Sequence, residues 1–229
     1  MSLKDLSRKA SLNPSTAYRI LNTLEAHGLV QQDPMTRYYG LGLQVLQLAA
    51  AVRSQLDLRE TARPFLRGLA KEAGETANLV TFEGDEAVYI DQLFSSQPIR
   101  AFTQIGARVP LHCTGVGKVL LASLPSEERE TRLQMGLPAF TKNTITNPYH
   151  LSEELVKISD QGFALDIEER QEEVRCIAAP ILDDEAKVTA AISISGPAHR
   201  LTLDRMNQLV PMVVHAALEI SSQLGYSGG

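Results

Sequence analysis

Two short bursts of helical periodicity open the chain. Leu3, Leu6 and Ala10 form one apolar stripe, with Lys4, Arg8 and Lys9 on the other side; Ala17, Ile20, Leu21 and Leu24 form a second. Asn13 is placed to cap the second helix, Pro14 suits its first position, where a missing N–H costs nothing, and Gly28 stops it. The Ser11-Leu12-Asn13 step between the stripes has the length of a helix-turn-helix connection. Alternation then replaces helical spacing. Residues 29–32 and 37–41 flank the turn-rich Asp33-Pro34-Met35-Thr36 and predict a hairpin. Helix, turn, helix and hairpin together describe a winged helix.

The pattern changes again after Gly42. Leu41, Leu43, Val45, Leu46, Leu48, Ala49 and Val52 predict an apolar helix in which only Arg53 is charged. A helix that apolar reads as a rigid linker that also touches a partner subunit. Asp57-Leu58-Arg59-Glu60 has the form of a capping box opening the next helix, with Leu58, Ala62, Phe65, Leu66 and Leu69 inward. The expected domains are therefore 1–41, a linker helix over 42–57, and 58–229.

Beyond residue 75 the chain mixes both periods. Strands are expected over 76–82 and 87–94 around a Glu83-Gly84-Asp85-Glu86 turn, with a third over 99–104. Helices are expected over 115–124, 126–135 and 152–161. Three more strands follow over 163–167, 174–182 and 187–195, the last two joined at Asp183-Asp184, and a long helix over 202–224 closes the chain. Hairpins interleaved with helices make this an α+β domain, an antiparallel sheet covered by helices, and not a crossover fold.

Charge sharpens the first module. Residues 1–56 carry six basic side chains against three acidic, whereas residues 57–229 carry 16 basic and 24 acidic, for −5 overall. An acidic protein with one basic end confines its affinity for polyanions to that end. On the second helix Ser15, Thr16, Tyr18, Arg19 and Asn22 point outward, a set suited to phosphates and base edges, and Arg37 lies where a wing reaches phosphate or minor groove. The expected partner is double-stranded DNA. The excess charge is small, so tight operator binding requires two modules joined in a dimer. At 229 residues and 44% hydrophobic content the chain holds one small and one medium domain. No apolar run reaches the roughly 18 residues a membrane helix needs. No secretory leader opens the sequence, and Cys113 and Cys176 make no disulfide framework, so a cytoplasmic protein is expected.

Several separate segments then carry a resemblance. Asn13-Pro14-Ser15-Thr16-Ala17-Tyr18-Arg19, Leu24-Glu25-Ala26-His27-Gly28-Leu29-Val30, Leu111-His112-Cys113-Thr114-Gly115-Val116-Gly117-Lys118, Arg175-Cys176-Ile177-Ala178-Ala179-Pro180 and Ile192-Ser193-Ile194-Ser195-Gly196-Pro197 resemble, in order, the IclR family of bacterial transcriptional regulators. The resemblance implies an N-terminal winged helix, a linker helix and a C-terminal GAF-like effector domain, assembled as homodimers or homotetramers. It also implies that Gly115, Val116, Asp166, Cys176, Ser193 and Ser195 line a pocket for a small organic acid, such as glyoxylate, pyruvate or an aromatic acid. The family has one more helix ahead of the segment at Leu3. A chain extended by such a helix is accordingly expected to bind DNA better than this one.

The chemistry of these residues agrees with an acid. Thr114-Gly115-Val116-Gly117 precedes a helix, where backbone N–H groups and the helix dipole favour an anion. Ser193 and Ser195, two apart on a strand, project from one face. Each has a plainer reading as well: a tight turn for the glycines, a solvated face for the serines, a small buried hydrophobe for Cys176 and a turn cap for Asp166. Lys118-Val119 lacks the Ser or Thr of a phosphate loop. His112, Cys113, Asp166 and Cys176 are zinc-type ligands without close-spaced pairs, so no metal and no cofactor is expected. A thiol enzyme built on Cys176 and His112, with Asp166 as orienter, remains a rival, as does a ligand-binding or oligomerisation module impaired in DNA binding.

Overall fold

Helix α1 (Leu3–Lys9) starts where the Ser2 hydroxyl accepts the Asp5 N–H, and α2 (Pro14–Ala26) starts where Asn13 Oδ1 accepts that of Thr16 at 2.8 Å. The computed structural model describes residues 1–48, 58–94, 96–98, 101 and 103–228, in two units, Met1–Asp57 and Leu58–Gly229. Helix α2 ends in a full Schellman motif: Gly28 N–H bonds to Glu25 O and Leu29 N–H to Leu24 O, both at 2.9 Å. That motif needs a left-handed residue, and Gly28 supplies it at φ +67°. Strands β1 (Val30–Gln32) and β2 (Tyr39–Leu41) pair antiparallel, with Val30 opposite Leu41.

The helical stripes need two corrections. Ala17 and Leu21 are buried and Leu24 is half-buried, but Ile20 is 43% exposed. At about 100° per residue, Ile20 falls about 60° to one side of Ala17 while Leu21 falls about 40° to the other, and the unit packs on the Leu21 side. Ala10 is exposed because it caps α1 instead of continuing it; Ser7 takes the buried place and donates to Lys4 O. Residues 44–48 are helical. Gly42 and Leu43 of the expected linker helix are not helical, and residues 49–57, which include Asp57 of the expected capping box, lie outside the described residues.

The second unit is a six-stranded sheet between two helical layers. Its strands are β3 (Thr76–Glu83), β4 (Glu86–Leu93), β5 (Arg108–Val109), β6 (Ala164–Ile167), β7 (Val174–Leu182) and β8 (Val188–Pro197). The order β5-β4-β3-β8-β7-β6 is antiparallel throughout. Alternation sorts the faces. Leu79, Ile177, Ile181, Ile192 and Ile194 pack against helices α3 (Leu58–Ala73) and α7 (Leu203–Gln223), through Leu66, Leu69, Met206, Val213 and Ile220. The opposite face presents Val80, Ala87, Ala164, Ala178 and Ala191 to α4 (Gly115–Ala122), α5 (Ser126–Gln134) and α6 (Pro148–Gln161). Small residues there let α4 approach the strands closely.

The α+β assignment and the antiparallel sheet agree with the sequence reading. The third strand does not: Ala101, Thr103 and Gln104 are not in a strand, residues 99, 100 and 102 lie outside the described set, and the strand beside β4 is the short Arg108–Val109. Among the described residues no helix is long and apolar enough to cross a membrane.

Candidate functional site

In the first unit the outward face of α2 is available as expected. Ser15, Tyr18, Arg19 and Asn22 are exposed and Thr16 is half-buried. The Ser15 hydroxyl donates to the same Asn13 oxygen that caps the helix, which holds it at the helix tip. The hairpin turn is stiffened by Asp33, whose Oδ1 accepts the N–H groups of Met35 and Thr36 at 2.9 and 2.7 Å. Those bonds hold the Asp33 carboxyl below its usual range, the Thr36 backbone bond foremost. Arg37 follows in the left-handed region at φ +59°, pinned by its N–H to Asp33 O and by Gln32 Nε2 donating to its carbonyl. Neither Arg19 nor Arg37 has an ion-pair partner among the described residues, so both guanidinium groups face solvent.

In the second unit a cavity of about 400 Å³ lies where the start of α4 meets the sheet. Its floor is set by register. Asp166 pairs with Cys176 and Cys176 with Ser195 across three neighbouring strands, so a polar row crosses β6, β7 and β8. All three residues line the cavity, together with Thr114 and Val116 from the start of α4. Tyr89 and Val109 close one side, and Arg170, Gln171 and Val174 stand on another.

Four of the six expected pocket residues therefore reach the cavity, and two stand behind it. Ser193 is fully buried one ladder step along, opposite Ala178, beside the Cys176 thiol. Gly115 supplies clearance: a Cβ there would sit 3.1 Å from Cys176 Sγ. Gly117 is needed still more, because a Cβ would fall 2.6 Å from both Leu111 Cα and Leu111 O. The first turn of α4 has no intrahelical acceptors for its N–H groups. Thr114 Oγ1 takes that of Gly117 at 3.0 Å and the Cys176 sulfur that of Val116, while that of Gly115 has no acceptor among the described residues.

Sequence reading missed the residue that aligns the serines. Asn78, buried on β3, donates through Nδ2 to Ser195 Oγ at 3.0 Å and to Ser193 Oγ at 3.3 Å. The Thr103 hydroxyl lies within hydrogen-bonding distance of Asn78 Oδ1 (2.8 Å) and Gln92 Oε1 (2.6 Å), which fixes the amide orientation. The available signal was an amide set between Ala77 and the apolar Leu79 and Val80. Tyr89, Arg170 and Gln171 carried no comparable signal.

Electrostatics make the cavity unusual. Burial pushes Asp166 up to about 7, although the Glu169 N–H at 2.8 Å pulls the other way. Burial also raises Cys113 and Cys176 to about 12 and drives the Tyr89 phenol up, so all three stay protonated near neutrality. His112 is lowered by burial against its contact with Pro138 O at 3.0 Å. Just behind the row, Lys118 is buried and its ammonium pairs with Glu169 and, at 3.6 Å, with Glu154. Among the described residues no three His, Cys, Asp or Glu side chains gather as a metal site would require.

Comparison with known proteins then decides the family. Residues 50–222 match the pattern described as bacterial transcriptional regulator IclR C-terminal, and residues 1–34 match the IclR helix-turn-helix domain. The chain belongs to the IclR family. Among its relatives, the HTH-type transcriptional regulator BhcR of Paracoccus denitrificans is 39% identical over 96% of this chain and 80% of that protein. The transcriptional repressor IclR of Escherichia coli is 36% identical over 100% of this chain and 84% of that one. A solved IclR-family regulator from Silicibacter sp. TM1040 superposes with a TM-score of 0.86 at 28% identity, covering 100% and 90% of the two chains. The protein is thus a helix-turn-helix transcriptional regulator with a GAF-like second domain.

Proposed function

We propose that the protein is a ligand-responsive regulator that binds a double-stranded DNA operator and senses a small organic acid in the cavity of its second unit. One observation supports this: a cavity of about 400 Å³ joins the start of α4, at Thr114 and Val116, to the polar row Asp166, Cys176 and Ser195, so hydroxyl and acid groups beside a helix N-terminus face one space that suits a carboxylate. Val116 contacts the acid, Ser195 and Thr114 offer hydroxyls, and Asp166, largely protonated below pH 7, offers a donor. Ser193 and Gly115 keep this wall in register. Ser15, Thr16, Tyr18, Arg19 and Asn22 contact the operator from α2, and Arg37 contacts it from the wing.

Two copies act together, because one small basic module binds weakly. Leu43 at 76% and Leu46 at 67% exposure, just beyond the wing, support a homodimer or homotetramer that covers them. The protein works without a cofactor and without catalysis: with both thiols near 12, fewer than about one in ten thousand is a thiolate at pH 7, so Cys176 makes a poor nucleophile. The acid regulates only by binding two arrangements of the paired helices unequally. Thermal-shift screening of small organic acids tests the reading, run on the wild type and Asp166→Ala. A shift from one acid that disappears in the variant is the expected result. Shifts that are identical in the two proteins would move the site elsewhere.

A further inference from the structure

Among the described residues Arg170 is a cation without an anion. It stands at the cavity wall in the loop 168–173 that joins β6 to β7, with its guanidinium carbon 4.0 Å from the Phe140 ring centroid. The loop is rich in acids, yet the nearest ones are engaged: Glu168 pairs with Arg175 at 2.8 Å and Glu169 with Lys118. Asp166 is turned under the loop, where it receives the N–H groups of Glu169 and Arg170. Arg170 itself makes no ion pair among the described residues. Stacking on Phe140 holds the plane of the fork and leaves its N–H edges for a ligand. Glu168 and Glu173, both left-handed at φ +61° and +62°, brace the two ends of the loop.

The size of the cavity points the same way. A volume of about 400 Å³ holds on the order of a dozen waters, and a three-carbon oxo acid of roughly six covalently bonded heavy atoms leaves more than half of it open. One carboxylate at the start of α4 therefore leaves room for further atoms towards Arg170 and Gln171. A guanidinium fork is matched in shape and charge to a second carboxylate.

We infer that the acid sensed here is a small dicarboxylate, held by one carboxylate at the start of α4 and by the other at Arg170. This rests on the acid-sensing reading of the same cavity. Isothermal titration with acetate, pyruvate, succinate, 2-oxoglutarate and adipate tests it, on the wild type, Arg170→Gln and Arg170→Lys. At least one dicarboxylate should bind the wild type tenfold or more tighter than either monocarboxylate, as expected of a charge-assisted pair worth about 1.5–3 kcal/mol. Arg170→Gln should erase that preference, bringing the ratio of dicarboxylate to monocarboxylate affinity to about one, and Arg170→Lys should keep part of it. Monocarboxylates binding as well as dicarboxylates, or a preference that survives Arg170→Gln, would overturn the dicarboxylate and leave the acid pocket standing. No binding by any of the acids would remove the acid pocket and the dicarboxylate together. Because Arg170 is exposed, unchanged melting curves for the ligand-free variants are expected.

Discussion

The ammonium of Lys118 is sealed against Glu169, and the second carboxylate oxygen of Glu169 has no hydrogen-bond partner among the described residues. The two residues come from α4 and from the loop after β6, so the pair ties that helix to the loop that carries Arg170. Removing the cation alone leaves a buried carboxylate uncompensated. Lys118→Met should cost about 3–5 kcal/mol, and Lys118→Met with Glu169→Leu should cost less than the single variant. Urea unfolding checks both; a double variant worse than the single one would mean that the pair is not the binding element.

Asp166 gives the protein a pH signature. Its folded value of about 7 lies above the ordinary 3.8, so the folded chain keeps a proton that the unfolded chain releases. Stability from this group therefore falls as pH rises between the two values, by about 2–3 kcal/mol from pH 5 to 8. Asp166→Asn should remove that slope. His112 and Glu169 also titrate, but they are common to both proteins and drop out to first order when the two unfolding curves are subtracted. A difference curve that is flat from pH 5 to 8 would contradict the assignment.

Asn78 serves two hydroxyls at once. Asn78→Ala leaves Ser193 and Ser195 without their donor and should cost about 1–3 kcal/mol. Acid binding, followed by titration, should weaken as well, because Ser195 loses its fixed direction. Loss of stability with unchanged acid affinity would confine Asn78 to a structural role.

At the DNA face, Arg19→Ala and Arg37→Ala each remove one solvent-facing cation. Both should lower affinity for duplex DNA, and each should flatten the slope of log affinity against log salt by about one. Fluorescence anisotropy over a salt series measures this. A slope unchanged in both variants would remove these residues from the phosphate contacts.

Local chemistry made some of this legible in advance. Asn13-Pro14 and Gly28 bound α2 because caps and stops act over a few residues, and β7 runs over the expected Val174–Leu182 for the same reason. Ile20 escaped the stripe because periodicity gives an angular sector, and only packing chooses its centre. Asn78 and Ser193 are 115 positions apart, and their contact exists only through the β3–β8 register. Arg170 was invisible for a related reason: its meaning depends on what Glu168 and Glu169 had already paired with, which no spacing discloses.

The polar row lies inside the hydrogen-bonded ladder, whereas Arg170 and Gln171 lie on a loop outside it. A slip of one residue along β7 or β8 would trade Cys176 or Ser195 for the Ile177 or Ile194 that fill the opposite core, so the row cannot change without the sheet. The side chains of Arg170 and Gln171 are under no such obligation. Substitutions of Arg170 and Gln171 leave the Glu169–Lys118 and Glu168–Arg175 pairs in place, so a change in which acid is preferred is expected to be reachable there by single steps that spare the fold.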